Sequence, residues 1–180
     1  MTAVRRAWWA ASTPGAFYAS LDEEVRLRSA IAVAASAALL GSVLAGLLLA
    51  RASGSAPGPF LLTVPALALP YLLILGMLGS FVLMRPAELD LRAFEIVAWA
   101  WVPIGWLALA VAPIGLWAPG PSLAVAALLL PPWHLWMVWS GVVVHAGARP
   151  RAAVIGYGLT VFGLPLAMAT FVTAILSSLP

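Results

Sequence analysis

The sequence contains no cysteine and no lysine, and only 8% of its 180 residues are charged. Without cysteine the chain cannot form disulfides, thiolate metal sites or cysteine nucleophiles. All nine basic residues are arginines, and they lie outside the long apolar segments rather than on one clustered face that would neutralise nucleic-acid phosphates. We therefore expect no nucleic-acid partner, even though the formal net charge is +3.

The sequence also lacks the motifs of common enzyme classes. No G-x-S-x-G, H-E-x-x-H, Walker or dinucleotide-binding pattern occurs in a suitable context. The two histidines, His134 and His145, are eleven residues apart, which is about 16 Å along one helix, so they cannot share a metal ion. Because the chain has no further histidine and no cysteine to complete a ligand set, we predict no enzyme activity, no metal and no cofactor.

Apolar residues dominate the composition. Hydrophobic residues make up 64% of the chain and the mean hydropathy is +1.07, whereas the charged share of soluble proteins is about 25%. Five apolar segments are long enough to cross a hydrocarbon layer of about 30 Å. The sequence predicts an all-α fold, a polytopic bundle of five transmembrane helices that forms one domain over residues 29–180. The predicted spans are residues 29–50, 59–84, 93–117, 122–146 and 152–176.

Residues 1–28 are predicted to form a short amphipathic lead-in to the first span. Thr13 and Pro14 are typical of a helix start, since a hydroxyl can accept the first free amide and proline suits the first helical position. Phe17 and Tyr18 then fall on one side of the helix. We expect this helix to lie in the membrane interface with its aromatic face toward lipid. The alternative is that the helix docks on the bundle.

The arginines predict the orientation of the bundle. Five spans place the two termini on opposite sides of the membrane. Eight of the nine arginines then lie on the amino-terminal side, and Arg51 lies alone on the other. The positive-inside rule predicts a cytoplasmic amino terminus and an external carboxyl terminus. The composition is rich in alanine and arginine but lacks lysine and cysteine, which suggests a GC-rich bacterial genome, so we expect a bacterial cytoplasmic (inner) membrane protein.

The fourth span carries the residues that a purely lipid-crossing helix would not need. Pro131, Pro132 and His134 lie near the centre of this span. An ionisable group near the membrane mid-plane is a candidate functional site. The alternative is a structural imidazole that hydrogen-bonds a carbonyl freed by a nearby proline. Glu95 has the same two interpretations, as a functional carboxylate or as a boundary group that reaches water or the free amides of its own helix.

Aromatic and small residues suggest how the spans pack. Deep tryptophans either face lipid or form a wall between spans three and four, and we expect the wall; a lipid or quinone groove against it is the alternative. Small residues spaced four apart in span one allow close helix approach. The candidate functional or packing residues are Pro131, Pro132, Trp133, His134, Trp136, Trp139 and His145 in span four, and Glu95, Trp99 and Pro103 in span three. The small-residue pairs are Gly41 with Ala45 and Ser42 with Gly46.

Several local patterns follow one another along the chain, in the segments TPGAFYASL, FEIVAWAWVP, VAPIG and WSGVVVHAGARPRAAV. A charged helix enters an aromatic-rich span with an early proline, and a proline-bearing exit follows. A glycine and a histidine lie near the end of span four, and span five has a basic start. In this order the patterns resemble the Yip family, the Ypt-interacting-protein domain of five-span membrane proteins. The resemblance implies a non-enzymatic scaffold or adaptor that organises other membrane components; the eukaryotic family members bind small Rab-type GTPases and serve membrane traffic.

Two functions therefore fit the sequence. The first is a non-enzymatic integral membrane scaffold, adaptor or accessory subunit, whose partners are membrane lipids, other membrane subunits or further copies of the chain, and a cytoplasmic protein. This function predicts that partners co-purify and that His134→Ala is nearly silent. The second is a small oligomeric transporter, channel or lipid-moving protein, which predicts a polar path in which His134, Glu95 or the proline breaks matter.

Overall fold

The computed structural model describes residues 2–21, 25–87, 89–115, 117–146 and 150–178, and within these ranges all regular structure is helical. The helices are α1 (Ala3–Ser12), α2 (Pro14–Ala19), α3 (Leu27–Ser53), α4 (Pro57–Ala87), α5 (Arg92–Ala100), α6 (Pro103–Gly115), α7 (Pro119–Ala146), α8 (Pro150–Gly158) and α9 (Leu164–Ser178), and a π-helical segment (Leu159–Gly163) joins α8 to α9.

Among the described residues, five helical stretches are long and apolar enough to cross a membrane, which confirms the predicted all-α bundle. They are Leu27–Ser53, Pro57–Met84, Arg92–Gly115, Pro119–Ala146 and Arg151–Phe171, and we refer to them as spans one to five. Because consecutive spans alternate in direction, α1, α2, Arg92 and Ala146 lie at one end of the bundle. We call this end the arginine end. Arg51 and Trp117 lie at the opposite end.

The third span is the centre of the bundle. In its most apolar window 61% of the residues are buried, against 22–28% in the other four spans. The span is broken at Trp101–Val102, which separates α5 from α6. Pro103 has no N–H to continue the helix, and the N–H of Ile104 donates to the carbonyl of Trp101 rather than to that of Ala100. The break leaves the Ala100 carbonyl outside the regular helical ladder and free to contact a neighbouring helix.

The amino-terminal segment docks on the bundle, so the expectation that its aromatic face meets lipid is wrong. Phe17 and Tyr18 are fully buried between spans three and four. Burying these two large rings gains more free energy against a protein interior than in the interface, because they also make specific ring contacts there. Thr13 donates its hydroxyl to the carbonyl of Trp9 and does not cap α2 as predicted, whereas Pro14 does occupy the first turn. Residues 22–24 of the lead-in lie outside the described residues.

The small residues of span one lie against two different neighbours. A Cβ at Gly46 would come within 2.8 Å of the carbonyl oxygen of Phe60 in α4, and one at Gly41 within 3.1 Å of the Ile104 side chain in α6. Ala45 is half-buried, and Ser42 is buried with its hydroxyl bonded to the carbonyl of Leu39. The absence of side chains at both glycines therefore lets α3 approach spans two and three closely.

The fifth span widens at its centre. The N–H of Leu164 donates to the carbonyl of Leu159, five residues earlier. Pro165 follows directly, and in a regular α-helix its ring would clash with the carbonyl four residues before it. The wider turn accommodates this proline without ending the helix. Such π-helical turns occur frequently at functional sites.

Candidate functional site

A histidine and a tyrosine form a hydrogen-bonded pair inside the bundle. His134 of α7 and Tyr157 of α8 are both fully buried, and Nε2 of His134 lies 2.5 Å from the Tyr157 hydroxyl. Their rings are nearly parallel, with centroids 5.6 Å apart. A neutral imidazole has one donor and one acceptor nitrogen, so either group can supply the shared proton. The pair joins spans four and five through polar atoms in a region of otherwise apolar packing.

Two aromatic residues complete the surroundings of the histidine. The ring centroids of Trp101 and His134 are 4.2 Å apart. The Phe162 ring meets the His134 ring edge-on, with the centroids 5.4 Å apart. Phe162 belongs to the π-helical segment, whose wider turn therefore contributes directly to this cluster. Within the described chain, Nδ1 of His134 and Nε1 of Trp101 have no hydrogen-bond partner of ordinary geometry. The cluster of His134, Tyr157, Trp101 and Phe162 is the candidate site.

The candidate site lies deep in the membrane-spanning part of the molecule. At about 1.5 Å per residue, Trp101 lies about 14 Å from Arg92 along span three, and His134 lies about 18 Å from Ala146 along span four. The apolar layer of a bilayer is about 30 Å thick. Both residues therefore fall near its mid-plane, where an uncompensated polar group is costly.

A glycine on span two makes room for the tyrosine. A Cβ at Gly79 would come within 2.9 Å of both Cδ2 of Tyr157 and Cγ2 of Val161. The Tyr157 ring therefore lies directly over the α4 backbone, and it can be fully buried only because position 79 carries no side chain. Span two thus helps to hold the tyrosine in hydrogen-bond range of His134.

The proline that frees a carbonyl near His134 is Pro103 of span three, not Pro131 or Pro132 of the histidine's own span. The span is one continuous helix through Pro131, which is half-buried, and Pro132, which is exposed. The backbone carbonyl within electrostatic reach of the ring is that of Ala100 in span three, which the break before Pro103 leaves available. The Ala100 carbonyl makes a polar contact with the His134 ring and not a hydrogen bond, because the geometry falls outside that of a hydrogen bond.

The sequence interpretation missed Tyr157 as the partner of the histidine. The tyrosine stands inside an apolar span with a glycine on each side, as Gly156-Tyr157-Gly158. A lone phenol within a span needs a polar partner, and flanking glycines let a neighbouring helix approach. That combination is the signal that would have pointed to it.

The tryptophans do not form the predicted wall between spans three and four. Trp136 and Trp139 are 47% and 36% exposed and face outward, so the prediction is wrong for both. Trp133 instead donates its Nε1 hydrogen to the carbonyl of Ala11, 2.9 Å away, and fixes α1 to span four. Trp99 is fully buried, with its ring 4.8 Å from that of Phe17. Trp133 and Trp99 therefore serve to dock the amino-terminal helices, whereas Trp101 packs against His134 between spans three and four.

A second polar group lies at the arginine end. Glu95 is only 1% exposed and forms an ion pair with Arg92, one turn earlier on α5, so the expectation that it reaches water or free amides is wrong. Tyr18 donates its hydroxyl to the carbonyl of Ile96 at 3.1 Å. Burial raises the pKa of the Tyr18 hydroxyl, and the nearby Glu95 carboxylate raises it further. The His145 and Tyr18 rings are nearly perpendicular, with their centroids 6.4 Å apart. The docked helix α2 thus covers the buried carboxylate.

An arginine of α1 adds to this docking. The guanidinium of Arg6 lies 5.4 Å from the centre of the Trp99 ring and 5.9 Å from that of Phe17. A cation over an aromatic face is attracted to it by about 0.5–2 kcal/mol, depending on solvation. Helix α1 is therefore held by both a hydrogen bond from Trp133 and a cation–π contact.

The side chains of these two polar groups can form hydrogen bonds and bind protons. No three histidine, aspartate or glutamate side chains come together as a metal-ligand set anywhere in the described ranges. Comparison with protein-family models, with curated proteins and with solved structures finds no match to this chain.

Proposed function

We propose that this protein is a non-enzymatic membrane scaffold or accessory subunit that associates with another polypeptide through the carboxyl-terminal half of span five. The observation that carries the proposal is the isolation of α9. Its main contact is the π-helical segment that precedes it. Its described side chains are exposed apart from the half-buried Pro165, and Leu166 and Phe171 are 70% and 66% exposed.

The exposed surface of α9 has the composition of a helix-packing face. Gly163, Ala167, Thr170 and Ala174 follow one another at intervals of four, three and four residues, so they lie on one stripe of the helix. Lipid chains are as apolar as leucine, and helices associate in membranes through close packing at such small residues. A partner helix on this stripe would gain contacts that lipid cannot provide as densely.

The orientation belongs to the same proposal. We place the arginine end in the cytoplasm of a bacterial cell, because eight of the nine arginines fall on that side. Helix α9 then lies in the outer half of the membrane. The resemblance to Yip-domain proteins supports an organising role, and the partners we propose are other membrane subunits or further copies of the chain.

The absence of cysteine makes a clean cross-linking test available. A single Ala167→Cys substitution on α9 is labelled with a photoreactive thiol reagent in native membranes, and Ile155→Cys in α8 serves as the matched control, since Ile155 is 63% exposed on the same span. We expect a cross-link to a polypeptide from position 167 and none from position 155. Cross-links to lipid alone at both positions would contradict the proposal. Mass spectrometry of the adduct distinguishes another subunit from a second copy.

A second candidate function is favoured by the buried His134–Tyr157 pair. A histidine at the mid-plane is a common part of proton or substrate pathways in small transporters. The purified protein in liposomes would then move ions or lipid between leaflets, and His134→Ala would abolish the flux. A homo-oligomer that moves ions or lipid in this assay would overturn the scaffold proposal. If no flux is measured and a partner co-purifies, the scaffold proposal is supported.

A further inference from the structure

A long apolar groove runs between α3, α4 and α5 in the half of the bundle that contains the arginine end. Its volume is about 700 Å³. Its lateral opening lies between Ile31 and Leu39 of α3 and Leu73 of α4, all three exposed on the surface of the spans. Its inner wall is formed by Val97 and Trp101. The groove therefore opens sideways onto the surface that meets lipid.

The groove extends from the membrane boundary to the mid-plane. Leu27 and Phe94, near the starts of spans one and three, line its outer end, and Leu39 and Trp101 line its inner end. The twelve residues from Leu27 to Leu39 correspond to about 18 Å along the helix axis. This length and the apolar lining match a fatty acyl chain that descends from the boundary.

The groove is too small to enclose a helix. A helix is at least about 10 Å across, so an 18 Å length of it fills about 1,400 Å³, about twice the volume of the groove, and a helix could only lie over the opening and insert side chains. An extended peptide would place unpaired N–H and C=O groups against an apolar wall, which the membrane interior does not tolerate. An acyl chain has no such groups.

Basic side chains lie at the outer end of the groove. Arg26 and Arg28 are exposed, directly beside Leu27. Arg28 stands three and seven residues before Ile31 and Ala35, so it shares their stripe of α3. Among the acids of the described chain on this side, Asp90 is exposed and Glu95 is buried in its ion pair with Arg92; Asp22, Glu23 and Glu24 lie outside the described residues. The positive charge of Arg28 at the groove mouth suits a phosphate.

We propose that the groove binds one acyl chain of an anionic phospholipid from the leaflet at the arginine end, with the lipid phosphate at Arg28. Basic residues at the membrane boundary attract anionic headgroups. The apolar wall supplies the site for the chain, and Arg28 supplies the preference for negative charge. The inference is independent of the association proposed for α9.

The test measures lipid retained by the purified full-length protein in neutral detergent, by native mass spectrometry. Phosphatidylglycerol and phosphatidylcholine with identical acyl chains are offered separately. A decyl-substituted quinone, which has an uncharged head group and an alkyl tail, is added as a competitor of each phospholipid. Arg28→Gln removes charge at the mouth, with Arg51→Gln at the far end of the same helix as control. Ala35→Phe fills the groove from an exposed position, with the equally exposed Ala32→Phe, which does not line the groove, as control.

We expect the wild type to retain phosphatidylglycerol in preference to phosphatidylcholine. Compared with the wild type, Arg28→Gln should retain phosphatidylglycerol about five-fold more weakly. Ala35→Phe should retain it more than about ten-fold more weakly. Neither control variant should change retention. Equal retention of the two phospholipids, displacement of phosphatidylglycerol by the quinone, or full retention by Ala35→Phe would each overturn the proposal. Because Arg28 is exposed, Arg28→Gln still decides the question if the phenylalanine variant fails to fold.

Discussion

Removal of the Tyr157 hydroxyl tests whether the buried pair holds spans four and five together. Tyr157→Phe keeps the ring in place beneath span two and removes only the atom that lies 2.5 Å from Nε2 of His134. In the described structure Nδ1 of that histidine already has no hydrogen-bond partner. The substitution would therefore leave a fully buried imidazole without any hydrogen bond.

The expected loss follows from the environment of the pair. A buried polar atom left without its partner destabilises a protein by about 1–3 kcal/mol. Hydrogen bonds between membrane helices average about 0.6 kcal/mol and reach about 1.7 kcal/mol, because the unfolded chain also finds partners in the membrane. The pair is short and fully buried, so we expect Tyr157→Phe to lower the free energy of unfolding by about 1.5 kcal/mol. His134→Leu should cost a similar amount, since it leaves the tyrosine hydroxyl unpaired.

A double-mutant cycle isolates the interaction from these single losses. Unfolding in mixed detergent micelles is followed by tryptophan fluorescence for the wild type, Tyr157→Phe, His134→Leu and the double variant. Replacing both partners should cost less than the sum of the two single changes by about 1 kcal/mol. Tyr18→Phe is the matched control, because its hydroxyl bonds a backbone carbonyl, and its loss should add to that of His134→Leu within about 0.3–0.5 kcal/mol. Additivity in the His134–Tyr157 cycle as well would refute a stabilising pair.

Three further outcomes are expected in the same unfolding assay. Gly79→Ala should destabilise the protein by about 1–3 kcal/mol, because its Cβ would overlap the Tyr157 ring; an unchanged value would mean that α4 shifts freely. Glu95→Gln should lower the free energy of unfolding less than Arg92→Leu. Arg92→Leu leaves a buried carboxylate without its partner, which costs about 3–5 kcal/mol; the reverse order would contradict the ion pair. Burial raises the pKa of Tyr18, so the folded chain keeps a proton that the unfolded chain releases above about pH 10; stability should fall there, and less steeply in Tyr18→Phe.

The fold was predictable from the sequence to the extent that hydrophobic length decides it. Each span exceeds the roughly 20 residues needed to cross a bilayer, and that requirement does not depend on how the helices pack. The break at Trp101 was not predicted, because a proline inside a span can be tolerated, kink a helix or end it. The break places the Ala100 carbonyl near His134 of span four, a contact that the sequence of span three alone does not reveal.

The candidate site was predictable only in part, because polar partners in a bundle come from distant spans. His134 stood out as a mid-span ionisable group, and the structure places it at the centre of the buried cluster. Tyr157 was overlooked, because its pairing depends on the rotation of span five. The sequence likewise did not predict that Trp136 and Trp139 face outward, because an almost uniformly apolar helix has no amphipathic pattern that identifies its buried face.

The two proposals concern opposite halves of the bundle, and their independence can itself be measured. At the arginine end, the docked helices fill the interior around Trp99, and the lipid groove is bordered by Arg28 on α3. In the other half, α9 leaves its packing stripe around Ala167 uncovered. Because Arg28 and Ala167 lie on different spans at opposite ends, changes at them should act additively. Arg28→Gln should weaken phosphatidylglycerol retention yet leave the cross-link from Ala167→Cys unchanged. If it abolished the cross-link as well, the lipid would be part of the partner interface, and the association could not be assigned to α9 alone.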